Sequence, residues 1–383
     1  MARRMVLNPV AYFGRNAREN IIHEITKRNL KKAFICTDKA IVENGIINLI
    51  TDVLNKNEMA YVIYSDVEPN PSIENVQNGV LAFKKSKADY ILAVGGGSPI
   101  DVAKGIGIIV ANPEFDDVLS LEGLSPTKKH AVFTIAIPTT AGTASEVTMN
   151  YVITDKKTSR KFVCVDPNDV PEVAIVDADL TSTMPKGLAK ASGMDALTHA
   201  IEGYITQGAW AMSDMAHIKS IELIANNLEK AVRGNGVAQE NMILASYIAG
   251  MGYSNVGLGI VHSMSHPLSG YYNIPHGIAN AILLPTVMEY NAPASGTKYR
   301  EIAKAFNVPD VDKMNKSQYR KAAVKAVKDL AIRLGIPQSL KKLMKLEDLD
   351  LIAEFAFKDV CTPGNARQAT LEEIKELYKK LLK

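Results

Sequence analysis

The chain has 383 residues, which is enough for two or three domains and too many for a single small module. Its 44 basic and 41 acidic side chains give a net charge of +3, so no basic surface for nucleic acid is expected. With 47% hydrophobic and 22% charged residues, the composition is typical of a soluble protein that folds throughout.

The cysteines and the uncharged stretch exclude two further classes of protein. Cys36, Cys164 and Cys361 lie far apart, so we expect neither a disulfide framework nor a thiolate zinc site. A cytoplasmic location fits this, and the N-terminus shows no signal-peptide pattern. Residues 241–288 contain no Asp, Glu, Lys or Arg, but Gly, Pro and Asn interrupt them. They therefore predict a buried interior layer and not a membrane span.

Strand and helix patterns alternate in the first half of the chain. Short apolar runs predict strands of a parallel sheet at 33–36, 60–64, 90–94 and 132–137. Helical spacing of apolar residues predicts helices at 41–56, 72–87 and 99–110. Further strands are predicted at 151–154, 161–166 and 173–177. This alternation predicts a doubly wound α/β fold.

The pattern changes after Pro185, where segments of helical period continue to the C-terminus without strand alternation. We therefore predict two domains. Residues 1–184 form an α/β nucleotide-binding domain with a parallel sheet, and residues 185–383 form an all-helical domain.

Two loops in the first domain favour a nucleotide. Gly95, Gly96, Gly97 and Ser98 directly follow the strand at 90–94, and glycines before a helix N-terminus suit a pyrophosphate. The alternative for this loop is a tight strand-to-helix turn. A second loop, PTTAGTASE at 138–146, follows the strand at 132–137. Because sheets of this class bind ligands at the carboxyl ends of their strands, the two loops together predict a nucleotide crevice, although G-x-G-x-x-G is absent.

Asp38 lies just after the first predicted strand. Its carboxylate could accept hydrogen bonds from an adenosine ribose and repel a 2′-phosphate, which would favour NAD over NADP. An N-cap for the helix beginning near Ile41 explains the same residue equally well.

A cluster of histidines in the second domain predicts a metal site. Asp195 and His199 are four residues apart, as are His262 and His266, so each pair shares one face of a helix. His276 follows Pro275 in a turn-like setting. Each histidine alone is more often a core residue than a ligand, but together they indicate a metal.

Three imidazoles and one carboxylate suit Fe, Zn, Co or Ni better than calcium or magnesium. We take His262 as the ligand of its pair and His266 as a proton relay beside the site. An ion with an open position could act as a Lewis acid on an alcohol or carbonyl oxygen.

Four segments of the sequence resemble the iron-dependent alcohol dehydrogenases: GGGSPIDVAK, PTTAGTASEVT, GMDALTHAIEGY and GLGIVHSMSHPLSGYYNIPHGIANAILLP. The similarity covers nearly the whole chain. It implies a dehydroquinate-synthase-like fold, with the active site in a cleft between the α/β and helical domains, and a homodimer. The implied activity is reversible hydride transfer between NAD(H) and a small aldehyde or alcohol, and within the family it points to lactaldehyde and 1,2-propanediol.

The resemblance also implies a role for individual residues. Asp195, His199, His262 and His276 would bind Fe(II), although zinc or another divalent ion is possible, and His266 would lie close by. The cofactor residues would be Asp38, Asn70, Gly96, Gly97, Ser98, Thr139, Thr140, Thr143, Asn150, Lys161 and Leu180. The substrate pocket would contain Asn150, Tyr253, Leu258 and Cys361.

Two positions depart from the family pattern. Ala144 stands where many relatives have glycine, and Tyr253 stands where phenylalanine is expected in members that act on lactaldehyde. Another polyol or primary alcohol dehydrogenase of this fold is therefore an alternative. A lyase of the dehydroquinate synthase type is a further one, but it would need a basic cluster for its anionic substrate, which the uncharged stretch at 241–288 does not supply.

Overall fold

A computed structural model describes residues 2–158 and 160–383, which divide into two units, Met1–Met184 and Pro185–Lys383. In the part of the chain that it describes, no helix is long and apolar enough to cross a membrane.

The strands of the first unit form two sheets. They are β1 (Val10–Phe13), β2 (Lys32–Asp38), β3 (Ala60–Val67), β4 (Tyr90–Gly95), β5 (Gly123–Leu124), β6 (Thr134–Pro138), β7 (Asn150–Asp155), β8 (Arg160–Val165) and β9 (Val173–Val176). The larger sheet is parallel, in the order β1-β9-β6-β4-β2-β3. The smaller one has the order β5-β8-β7, with β7 and β8 antiparallel. All the predicted strands are confirmed, whereas β1 and β5 were not predicted.

The helices of the first unit are α1 (Asn20–Lys27), α2 (Lys39–Glu43), α3 (Asn48–Lys56), α4 (Ile73–Ser86) and α5 (Gly97–Ala111). The single helix predicted over 41–56 is wrong. The chain leaves the helical path at Gly45, whose φ of 71° is a left-handed conformation, and α3 begins three residues later. The helix predicted from Pro99 begins earlier, at Gly97.

Side-chain alternation along the strands builds a core on both faces of the large sheet. On β4, Ile91 and Ala93 pack on one face with Ile106 of α5, while Leu92 packs on the other with Ile50 of α3. Burial on both faces explains why these strands are continuous apolar runs in the sequence.

The strand order changes direction between β2 and β4. The chain runs outward from β2 to β3 and then crosses back to β4 on the other side of β2. Ligands of doubly wound sheets bind at such a switch point, beyond the carboxyl ends of the strands. Asp38 ends β2 and Gly95 ends β4, and Gly95 is paired in register with Pro138 at the end of β6. The two predicted loops therefore leave neighbouring strands.

The second unit is helical in the part that the structure describes, as predicted. Its helices are α6 (Lys186–Ile205), α7 (Ala211–Val232), α8 (Gly236–Val256), α9 (Ile260–Tyr272), α10 (His276–Asn291), α11 (Lys298–Ala305), α12 (Lys316–Arg333), α13 (Leu349–Lys358) and α14 (Leu371–Leu382). The uncharged stretch forms most of α8, all of α9 and most of α10. The side chains of these helices are mostly buried, which confirms the interior layer.

Candidate metal centre and cofactor site

Three helices of the second unit bring three of the predicted ligands together. Asp195 lies in α6, His262 in the first turn of α9, and His276 is the first residue of α10. One ligand atom from each lies within 4.8 Å of the other two. Oδ1 of Asp195 is 4.0 Å from Nε2 of His262 and 3.7 Å from Nε2 of His276. This is the spacing of ligand atoms arranged around one ion. Two imidazoles and a carboxylate favour an ion such as iron or zinc.

His199, the fourth predicted ligand, lies beside this group. Its Nδ1 is 3.9 Å from Oδ2 of Asp195, and its ring centroid is 4.4 Å from that of His262. The Tyr253 ring stacks on the ring of His199, with centroids 4.3 Å apart and planes 13° from parallel. The tyrosine therefore fixes the plane of this imidazole.

Asn280 is a polar residue of the site that the sequence interpretation missed. Its side-chain nitrogen donates to Oδ1 of Asp195 at 2.7 Å and lies 3.2 Å from Nε2 of both His262 and His276. All three ligand atoms thus face one small group, and two imidazoles and a carboxylate gathered in this way fit a divalent cation. Asn280 follows His276 by one helical turn, and this i, i+4 spacing could have revealed it.

Glu202 is a second residue that was missed. Its Oε2 is 2.5 Å from Nδ1 of His262, and both groups are buried. Burial raises the pKa of Glu202 to about 7, against the opposing effect of backbone N–H donors such as Val261 and His262. Burial also lowers the pKa of His262 to about 3, so its ring is neutral, as a metal ligand must be. Glu202 follows His199 by three residues on α6, which places it near the same helix face.

His266 lies next to the three-residue group and is held by a carboxylate. Its Nδ1 is 2.7 Å from Oδ2 of Asp359, and its ring stacks on His276 with centroids 5.4 Å apart. Burial would raise the pKa of Asp359, but the charge and hydrogen bond of His266 lower it overall. Asp359 thus orients the His266 ring. No pattern in the sequence pointed to Asp359, because it is 93 residues away from its partner.

Three predicted substrate residues also belong to the second unit. Tyr253 and Leu258 are buried, and Cys361 is half-buried. The Tyr253 ring stacks on His199, which lies beside the three converging ligand residues. The backbone N–H of Cys361 donates to Asp359 at 2.9 Å. Two of the three are therefore linked to groups that surround the metal ligands.

In the first unit, the loop at 95–98, here called the glycine loop, packs directly against the loop at 138–146, here called the threonine loop. A β-carbon added to Gly97 would lie 2.8 Å from Cγ2 of Thr143, and one added to Gly96 would lie 3.2 Å from Cγ2 of Thr140. Gly96 is the N-cap of α5 and has no side chain to cap the first turn. The N–H groups of this turn, which includes Ser98, are therefore oriented as in sites that bind phosphate.

Other predicted cofactor residues occupy distinct positions in this unit. Asp38 caps α2, with its Oδ1 accepting the N–H of Ile41 at 2.9 Å, so the N-cap interpretation is confirmed. A carboxylate has two oxygens, so this cap does not exclude a contact with ribose. Nζ of Lys161 donates to Oδ1 of Asn70 at 2.7 Å, which brings two predicted residues together.

The remaining cofactor positions differ in their surroundings. Oδ1 of Asn150 is buried and has no hydrogen-bond partner among the described residues, as expected of an acceptor that a ligand would satisfy. Thr139 directly follows β6, and its backbone N–H donates to the carbonyl of Gly95 at 2.9 Å. Leu180 is 1% exposed and packs in the apolar core, so its side chain does not face solvent.

Comparison with known proteins decides the family. Residues 8–178 match the model of the iron-containing alcohol dehydrogenases, and residues 189–382 match the C-terminal model of the Fe-containing alcohol dehydrogenase family. The chain belongs to the iron-containing alcohol dehydrogenase family. Lactaldehyde reductase of Escherichia coli (strain K12) is 55% identical over 379 residues, which cover 99% of each chain.

Solved structures of iron-containing alcohol dehydrogenases and their relatives share the fold. A crystal structure of 1,3-propanediol oxidoreductase has a TM-score of 0.96 and 37% identity, and the match covers 100% of both chains. Sulfoacetaldehyde reductase from Bifidobacterium kashiwanohense in complex with NAD+ has a TM-score of 0.88 and 28% identity, with coverage of 100% of this chain and 99% of that one. This family membership makes the protein an oxidoreductase that interconverts alcohols and aldehydes.

Proposed function

We propose that this enzyme interconverts lactaldehyde and 1,2-propanediol, with NAD(H) as the hydride carrier and Fe(II) as its metal. The observation that carries the proposal is the convergence of Asp195, His262 and His276 on one point, in a chain 55% identical to a lactaldehyde reductase. Zinc or another divalent ion could occupy the same donor set.

We assign Asp195, His199, His262 and His276 as the metal ligands. Once bound, the ion supplies Lewis-acid stabilisation to a substrate oxygen, and the nicotinamide supplies or accepts the hydride. His199 completes the set through the ring that Tyr253 holds in place.

His266 is the group that we assign to proton transfer, as the catalytic residue. Its Nδ1 is tied to Asp359, which leaves Nε2 to exchange a proton with substrate or water. We assign Tyr253, Leu258, Cys361 and Asn150 as the substrate residues. The apolar character of Leu258 suits the methyl group of lactaldehyde.

NAD(H) is assigned to the first unit, residues 1–184, and the metal and catalytic groups to residues 185–383. The phosphates would be held by the glycine and threonine loops, through Gly96, Gly97, Ser98, Thr139, Thr140 and Thr143. Asp38 would bind the ribose hydroxyls and disfavour NADPH. Asn70, Asn150, Lys161 and the backbone at Leu180 complete the proposed set.

We further propose that the enzyme is a cytoplasmic homodimer. Its three cysteines are free, and two of them, Cys36 and Cys164, are buried, as suits a reducing compartment. Sedimentation velocity of the purified enzyme tests the dimer.

The test of the substrate and metal is NADH oxidation by protein stripped with a chelator and reloaded anaerobically. Lactaldehyde, 3-hydroxypropionaldehyde and an unbranched aldehyde are compared, each with Fe(II) and with Zn(II). We expect the highest kcat/KM with Fe(II) and lactaldehyde. A higher kcat/KM with another aldehyde would contradict the substrate assignment, and full activity without metal would contradict the metal assignment.

Tyr253 allows a sharper test of the substrate. Its hydroxyl adds a polar group to the pocket, so Tyr253→Phe should change the ratio of kcat/KM between lactaldehyde and the unbranched aldehyde. An unchanged ratio would remove Tyr253 from the substrate pocket. His23→Ala, an exposed position on α1, is the matched control for handling and metal loading.

A further inference from the structure

Glu202 lies on α6, the helix that also carries Asp195 and His199, but its carboxylate is directed at α9. It is 2% exposed, so it is an acidic group inside the helical unit. Acidic side chains are seldom buried without partners because desolvating their charge is costly. The partners of Glu202 therefore indicate why it is there.

The partners of the carboxylate lie at the N-terminus of α9, in its first turn and at Gly259, the N-cap. Oε1 accepts the backbone N–H of Val261 at 2.7 Å, and Oε2 accepts the backbone N–H of His262 at 3.3 Å. The same Oε2 lies 2.5 Å from Nδ1 of the His262 ring. The carboxylate thus holds both the backbone and the side chain of one residue.

This contact bears on which ring nitrogen of His262 carries the hydrogen. Backbone N–H donors at the positive end of a helix favour the ionised form of Glu202, and an ionised carboxylate is an acceptor toward Nδ1. With the hydrogen on Nδ1, Nε2 has a free lone pair. Nε2 is the atom that faces Asp195 and Asn280 in the candidate metal centre.

We propose that Glu202 is a positioning residue of the metal centre, which fixes the tautomer and the orientation of His262 so that its Nε2 can bind the ion. The inference rests on the proposed function, in which His262 is a metal ligand. Outer-shell carboxylates of this kind orient histidine ligands and raise their basicity.

A purely structural role for Glu202 would be to cap α9, and Asn365 provides the comparison. Oδ1 of Asn365 accepts the N–H of Ile260, at 3.2 Å, in the same helix turn. Asn365 therefore caps α9 as Glu202 does, but none of its side-chain hydrogen bonds among the described residues reaches an imidazole. Variants at the two positions separate capping from control of the tautomer.

Glu202→Gln is the main variant because glutamine has nearly the same shape. If the amide NH2 group replaces Oε2, it donates to Nδ1 and forces the hydrogen of His262 onto Nε2. If it replaces Oε1, it opposes the N–H of Val261. We expect Zn(II) affinity, measured by competition with a chromophoric chelator, to fall about 10- to 100-fold. Equal affinity in the variant and the wild type would overturn the proposal.

The tautomer itself is measured by NMR of metal-free protein labelled with 15N at histidine. In wild type, we expect His262 to show a protonated Nδ1 and an unprotonated Nε2, with its signals assigned by comparison with His262→Ala. A wild-type His262 protonated at Nε2 would overturn the proposal even if Glu202→Gln failed to fold.

Asn365→Ala is the control for capping. It should lower the unfolding temperature while leaving the Zn(II) affinity and the His262 tautomer close to those of wild type. If it lowered the Zn(II) affinity as much as Glu202→Gln does, capping alone would account for the effect and the inference would fail. If instead wild type and His262→Ala bound zinc equally, the proposed metal centre itself would be wrong.

Discussion

The metal centre of the helical unit and the phosphate loops of the α/β unit are built from different parts of the chain. At the metal centre, side chains from α6, α9 and α10 converge, and buried partners such as Glu202 hold them. In the loops, the backbone forms the proposed site. Gly96 and Gly97 have no side chain, so their backbone can lie directly against Thr140 and Thr143. One site depends on the chemical identity of side chains, and the other on their absence.

This difference predicts opposite sensitivities. Losing one side chain should disable the metal centre and leave the loops intact. Adding one methyl group should damage the loops and leave the metal centre intact. Substitutions at four positions test this contrast, beginning with the largest expected effect.

Removing an imidazole should break the metal centre alone. In His262→Ala, one of the three converging ligand atoms is lost. Losing a residue that only hydrogen-bonds to a ligand lowers metal affinity by up to about 100-fold, so losing a ligand should lower Zn(II) affinity by more than that. Turnover should be lost with the metal, while NADH binding, followed by fluorescence, should persist. His23→Ala should retain both. A fully active, metal-loaded His262→Ala enzyme would remove His262 from the ligand set.

Adding a methyl group should affect the loops alone. In Gly97→Ala, the new β-carbon would lie 2.8 Å from Thr143, and overpacking of this kind costs about 1 to 3 kcal/mol. We expect the KM for NADH to rise about tenfold or more, with unchanged metal content, in steady-state assays.

Gly107→Ala is the matched control on the same helix. Its β-carbon would make ordinary contacts, 3.4 Å from Cβ of Ala131 and 3.5 Å from Cδ1 of Ile91. Alanine is the better helix former, so this variant should keep its KM and gain up to about 1 kcal/mol of stability. Equal changes in KM for the two variants would mean that the loop is not a phosphate site.

Changing Asp38 separates its charge from its cap. Asp38→Asn keeps an oxygen for the N–H of Ile41 but removes the charge, whereas Asp38→Ala loses both. The preference for NADH over NADPH should relax in both variants, since one repelling charge at about 4 Å is worth about 1 to 4 kcal/mol. Stability to urea should fall only in Asp38→Ala, by about 1 kcal/mol. Unchanged coenzyme preference would leave Asp38 as a cap and nothing more.

The smallest expected effect is at Ala144. Its φ of 53° is left-handed, which costs a residue with a β-carbon about 1 to 2 kcal/mol. Because glycine also loses more backbone entropy on folding, Ala144→Gly should gain about 1 kcal/mol or less in urea unfolding. A loss of stability would show that the threonine loop gains nothing from a freer backbone.

Much of the fold followed from local pattern. Strands buried on both faces, such as β4, are unbroken apolar runs, so periodicity located them. The edge strand β1 is only four residues long and half-buried, and its pattern is weak for that reason. The break between α2 and α3 was missed because a single glycine inside an apolar, helical pattern does not by itself end a helix.

The sequence by itself determined which residues could bind a metal, because spacing of four on a helix and a stretch without other charges are local properties. Only the tertiary structure decided how those residues are held. Glu202 reaches His262 across 60 residues of sequence, and Asp359 reaches His266 across 93. Such pairs depend on how α6, α9 and the end of α13 pack together, and packing between helices leaves no periodic signal in any one of them.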